Sequence, residues 1–181
     1  MSRSKKLIVT ALFLIGACIL LYPAVSNKLA ERHQAEMISR YEQTVEELPK
    51  TDMKSEWEKA VKYNESVTGM SVEDPFILGS GSVLPGNYKD VLNVEEKEGV
   101  MGYIEIPAID VMLPIYHGVS ERVLRRGVGH METTALPIGG KGMHSVLASH
   151  RGLSTAKLFT DLDRMKDCLL YTSPSPRDRT R

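Results

Sequence analysis

From Leu7 to Asn27 the chain carries no charged residue, and the 19 positions from 7 to 25 are predominantly apolar. A run of that kind belongs in a core or in a bilayer. As a helix rising about 1.5 Å per residue it reaches about 28 Å, close to the roughly 30 Å of a hydrocarbon core. Arg3, Lys5 and Lys6 precede it, whereas the first acidic residue is Glu31. A cleavable signal peptide, with Ala24 and its small neighbours at the cleavage point, is the alternative. The run is longer than the usual apolar region of about 7–15 residues in such peptides, so an uncleaved anchor is the reading adopted. Basic flanks stay on the cytoplasmic side, which sends everything after Asn27 outward. The expectation is a single N-terminal pass through the plasma membrane, with the lipid bilayer as one partner and the body on the extracellular side.

The 181 residues allow one ordinary globular domain beyond that anchor. Lys+Arg and Asp+Glu both number 23, so the net charge is zero, and no basic run exceeds two residues. A partner bound by neutralising phosphates is therefore excluded, and no nucleic acid is expected. The two cysteines, Cys18 and Cys168, form no Cys-x-x-Cys pair. Neither a disulfide framework nor a cysteine zinc site follows.

After the anchor over 1–27, residues 28–70 read as a helical arm. Met37, Ile38, Tyr41, Val45 and Leu48 recur at helical spacing until Pro49. A second helix is predicted to begin near Ser55, with Glu58 closing a capping box, to carry Trp57, Ala60, Val61, Asn64 and Val67, and to end at Gly69. Residues 71–98 form a long connection rich in Gly, Pro and Ser, the kind of loop that often carries function. Within it sits Asp74-Pro75-Phe76, which by itself is also an ordinary turn.

Residues 99–167 change texture. Short apolar runs at Met101–Ile106, Val111–Ile115 and Ser145–Ser149 read as strands, with Pro107 and Pro114 at edges, ends or bulges. Glu121–Arg126 reads as a short helix capped by Ser120, and a final helix is expected from Thr155 to Lys166. The pattern is mostly β and suits a small barrel or sandwich. The stretch 168–181 has neither period and reads as a disordered, non-native tail.

Four of the five histidines, His117, His130, His144 and His150, lie after residue 115. None forms an i,i+4 pair and no acidic cluster joins them, so no metal and no cofactor is expected. His144 and His150 would share a face if one strand held both. His150 ends an apolar strand and precedes Arg151-Gly152, where the chain turns. An imidazole so placed is held by a sheet yet faces a cleft, which is what proton transfer requires. A satisfied structural histidine is the competing reading.

Gly102-Tyr-Ile-Glu-Ile-Pro107, Leu113-Pro-Ile-Tyr-His-Gly118, Gly127-Val-Gly-His130, Leu136-Pro-Ile-Gly-Gly140, Ser149-His-Arg-Gly-Leu153 and Leu158-Phe-Thr-Asp-Leu162 together resemble the front part of a sortase. Asp74-Pro75-Phe76 resembles the lid motif of class C, the pilin-polymerising sortases of Gram-positive bacteria. The resemblance implies a partial sortase-like β-barrel preceded by a transmembrane helix and an N-terminal helical arm. It implies a cysteine transpeptidase that cleaves a Leu-Pro-x-Thr-Gly-like sorting signal of a pilin or surface protein through a thioester and joins pilin subunits. His150 matches the catalytic histidine. In the lid, Asp74 engages the site arginine and Phe76 covers the thiol.

The family's nucleophile stands in a Thr-Leu-x-Thr-Cys strand that this sequence does not contain. Cys168 lacks those neighbours and Cys18 falls in the apolar span, so no nucleophile is expected in this chain, which reads as truncated at its C-terminus and inactive. Two other readings stay open: a membrane-anchored extracellular binding module without catalysis, and a housekeeping-class sortase.

Overall fold

A computed structural model of the chain describes residues 3–68, 88–94 and 99–165. Asp74, Pro75, Phe76, Cys168 and the stretch 168–181 lie outside the described residues.

Helix α1 (Arg3–Glu47) is continuous over 45 residues and passes through Pro23. The sequence suggests two elements here, an anchor and an amphipathic arm, but between Lys28 and Glu36 no glycine or proline interrupts a run of good helix formers. The backbone therefore stays helical from one to the other. Its first half is long and apolar enough to cross a membrane, and Leu7, Phe13, Leu20 and Leu29 are exposed. Its second half buries Gln34, Met37 and Ile38 and packs on the sheet described below. The change from an all-round apolar surface to a one-sided one marks where the helix meets the body.

Helix α2 (Lys50–Val67) begins five residues earlier than the expected Ser55, with Pro49 at the cap position and no side-chain cap. The capping box is not used. Proline has no N–H to leave unsatisfied at a helix start, so the helix opens directly behind it. Its inner face presents Ala60, Tyr63, Asn64 and Val67. Asn64 clamps the chain at Leu136, accepting from its N–H at 2.6 Å and donating to its carbonyl at 3.2 Å.

The body is built on a four-stranded sheet in the order β1-β2-β3-β4. Strands β1 (Val100–Ile106) and β2 (Val111–His117) pair antiparallel. Strand β3 (Val128–His130) runs parallel to β2, and β4 (Leu147–Ala148) runs antiparallel to β3. Among the described residues the sheet does not close into a barrel. Pro107 ends β1 as expected, whereas Pro114 lies inside β2 opposite Tyr103. It is tolerated because the β2–β3 ladder starts only at Ile115, so no bond to β3 is lost at the proline.

Strand β3 has no apolar run to announce it. It exists because Gly129 has no Cβ: a methyl there would drive into the Gly118 carbonyl, so only glycine lets the two backbones approach. The core joins Tyr63 and Val67 of α2 to Ile106, Val111, Leu113, Ile115, Val128, Leu136, Leu158 and Phe159.

Among the described residues, the helix expected over Thr155–Lys166 does not form. Residues 158–161 turn, only Leu162–Arg164 winds into a single 3₁₀ turn, and Leu158 takes a positive φ of 42°. Burial of Ala156, Leu158 and Phe159 bends the segment inward. The Phe159 N–H goes to the His150 carbonyl at 3.2 Å instead of to a helical partner. Tertiary packing outweighs local periodicity here.

Candidate active site

His150 follows β4 by two positions, on the open side of the sheet. Three contacts fix its backbone. Ser149 Oγ donates to the Gly127 carbonyl at 2.7 Å, the His150 carbonyl accepts from Phe159, and Gly152 turns the chain at φ 79° while donating its N–H to Thr160 Oγ1 at 3.1 Å. The Arg151–Asp163 ion pair at 2.8 Å braces the same turn. The strand-end imidazole before a glycine turn is thus where the sequence puts it.

The His150 side chain is partly exposed, and its Nε2 lies 3.1 Å from Glu121 Oε2. Glu121 opens the one-turn helix α3 (Glu121–Leu124), and its other oxygen, Oε1, accepts from Arg125 Nε at 2.7 Å. The Arg125 hydrogen bond, with a smaller contribution from His150, holds the Glu121 carboxyl below the usual carboxylate range. Ser120 occupies the N-cap position as expected but makes no side-chain cap bond. Sequence reasoning missed Glu121 as part of this site: nothing in a Glu-x-x-x-Arg turn says that it reaches a residue 29 positions on.

His117 and His130 serve packing. His130 is fully buried. Its Nε2 donates to the Ala135 carbonyl at 2.9 Å, which leaves Nδ1 to accept from the Tyr88 hydroxyl at 3.0 Å. Tyr88 also accepts from the Gly118 N–H at 3.0 Å. Burial pushes the His130 imidazole down to about 4 and Tyr88 well above its ordinary value, so both stay neutral. The His117 ring sits between the carbonyls of Val91, at 2.8 Å, and Gly99, at 3.2 Å. Together His117, His130 and Tyr88 pin residues 88–94 to the sheet.

His144 and His150 do not share a strand, because β4 covers only Leu147–Ala148. Among the described residues no group of three or more His, Cys, Asp or Glu could hold a metal ion. Cys18 is exposed on the apolar half of α1. Cys168 lies outside the described residues. The lid residues Asp74, Pro75 and Phe76 lie outside the described residues.

An open mixed sheet, a histidine at the end of its fourth strand and a helical arm across it define the front of a sortase fold. The sortase domain model matches residues 104–172, and the fold is similar to that of solved sortases. The solved structures it resembles are of class C. Sortase C1 of Streptococcus agalactiae is 37% identical at a TM-score of 0.63, with 72% of this chain and 65% of that one covered. A sortase C of Streptococcus pneumoniae, described in terms of catalysis and pilin substrate specificity, is 39% identical at a TM-score of 0.61, with 72% and 63% covered. A sortase C1 of a group B streptococcal pilus island is 35% identical at 0.59, with 74% and 61% covered. The chain thus spans slightly less than two thirds of these proteins' length. No curated protein matches it by sequence.

Proposed function

We propose that this chain is the anchor, arm and front sheet of a class C sortase, a cysteine transpeptidase that cleaves a Leu-Pro-x-Thr-Gly-like sorting signal and joins pilin subunits. The observation that carries the reading is His150 at the end of β4 on the open side of a sortase-like sheet, its backbone fixed on both sides and its ring partly exposed. The similarity to a sortase C described by pilin substrate specificity supports the substrate class.

In this reading a thiolate attacks the threonine carbonyl of the signal and forms a thioester. His150 protonates the departing glycine amine, then takes a proton from the incoming amine that resolves the thioester. Asp74-Pro75-Phe76 acts as a lid over the thiol until substrate arrives. The helix α1 anchors the protein in the plasma membrane with its amino end inside, so the sheet works on the extracellular side. The 181 residues hold no Thr-Leu-x-Thr-Cys strand, and without a thiolate no thioester forms.

The experiment completes the chain with the C-terminal third of the Streptococcus agalactiae sortase C1 and follows cleavage of a Leu-Pro-x-Thr-Gly peptide in detergent micelles. The completed protein is expected to cleave and to trap a thioester by mass spectrometry, its His150→Ala form to lose about 10³-fold or more in rate, and the 181-residue chain to show no turnover. Cleavage by the 181-residue chain, or full activity of the folded His150→Ala form, overturns the reading.

A further inference from the structure

We propose that Glu121 is a positioning residue for His150: its carboxylate holds the ring in the Nε2–H tautomer and leaves Nδ1 as the nitrogen that exchanges protons. The inference rests on the proton-carrying role given to His150 above and assigns the atom that performs it.

The geometry leaves little choice. Glu121 Oε2 lies 3.1 Å from Nε2. An ionised carboxylate has no hydrogen to donate, so this bond exists only if Nε2 carries the proton. The Arg125 guanidinium occupies Oε1 at 2.7 Å, favours the charged form and fixes the plane of the carboxylate toward the ring. The backbone on either side is equally fixed: Ser149 holds to Gly127, three residues after α3 ends, and Phe159 holds the His150 carbonyl. Helix α3 and the end of β4 are thereby held close to each other.

Among the described residues Nδ1 has no protein partner. In the neutral ring it carries a lone pair, and in the charged ring it carries the proton that can leave. When a proton arrives at Nδ1 the imidazolium charge develops beside Glu121, which stays ionised. When Nδ1 gives the proton up, the ring returns to the same tautomer with no rearrangement. This is the role of an orienting carboxylate in any nucleophile, base and orienter constellation.

The test is nitrogen-15 NMR of the full chain in detergent micelles, with labelled histidine and His150 assigned by the loss of its signals in His150→Gln. With the ring neutral, wild-type Nε2 is expected to give a protonated-type resonance and Nδ1 an unprotonated one, widely separated. In Glu121→Gln the two are expected to move toward each other as the second tautomer gains population. Glu121 is largely exposed, so the variant is expected to fold, which the unchanged signals of buried His130 verify. An unchanged separation in Glu121→Gln, or an Nδ1–H tautomer in the wild type, overturns the proposal. The measurement needs no turnover. A tautomer shift together with full activity of completed His150→Ala would remove the catalytic role and with it Glu121's, whereas activity lost in His150→Ala with no tautomer shift would remove Glu121 alone.

Discussion

Ser26 Oγ donates to the Thr155 carbonyl at 3.2 Å, joining the foot of the apolar helix to the loop that follows His150 across 129 positions of sequence. Eight residues further along α1, Gln34 Nε2 donates to the Arg126 carbonyl at 3.1 Å, just after α3. The two bonds tie the arm to the segments that follow His150 and α3.

Removing the first bond is expected to loosen that loop without unfolding the body. Ser26→Ala should cost about 1 kcal/mol, the net worth of a partly buried hydrogen bond. Amide hydrogen exchange of the full chain in micelles is expected to quicken over residues 153–158 and to stay unchanged over β1 and β2. Equal protection in the loop would mean that the bond does not hold it.

Acid should destabilise the body through His130. Its ring is held at about 4 in the folded chain by burial, against about 6.5 when unfolded. As pH falls the unfolded chain takes up the proton first, so the contribution is complete above about pH 6.5 and is lost as pH drops toward 4. Between about pH 7.5 and pH 5 the loss amounts to roughly 2 kcal/mol. Urea titrations at the two values check this, and His130→Asn is expected to flatten the difference while lowering stability at both.

Gly129→Ala is expected to be severe for its size. The added methyl meets the Gly118 carbonyl, Leu124 and the Val119 backbone, and two of these three are main chain that cannot step aside. Overpacking of this kind costs about 1–3 kcal/mol. Thermal unfolding should register it, whereas Gly16→Ala, where nothing lies within 4 Å, serves as the neutral control.

Asn64→Leu tests the clamp between α2 and the Leu136 segment. The substitution keeps the volume but strands a buried N–H and a buried carbonyl, each costing about 1–3 kcal/mol. A loss of about 2–6 kcal/mol in urea unfolding is expected, with protection lost first at the Leu136 amide. Asn64→Asp should lose less at that amide, because its carboxylate still accepts from it.

The sequence by itself determined the parts whose physics is local. An uncharged run of membrane length, the turn at Arg151-Gly152 and the short apolar runs of β1 and β2 are all properties of neighbouring residues, and each stands where the residues put it. The ordered motifs around His150 likewise carried the resemblance to sortases. What needed the folded chain was every relation between distant segments. Whether Thr155–Lys166 winds into a helix depended on what Leu158 and Phe159 could bury, and β3 depended on Gly118 lying against Gly129. Above all, Glu121 became a neighbour of His150 only because Ser149 ties β4 to Gly127. Periodicity reports which face of an element seeks shelter; it carries no information about which other element provides it, and that choice is made by packing and by the buried hydrogen bonds that packing must satisfy.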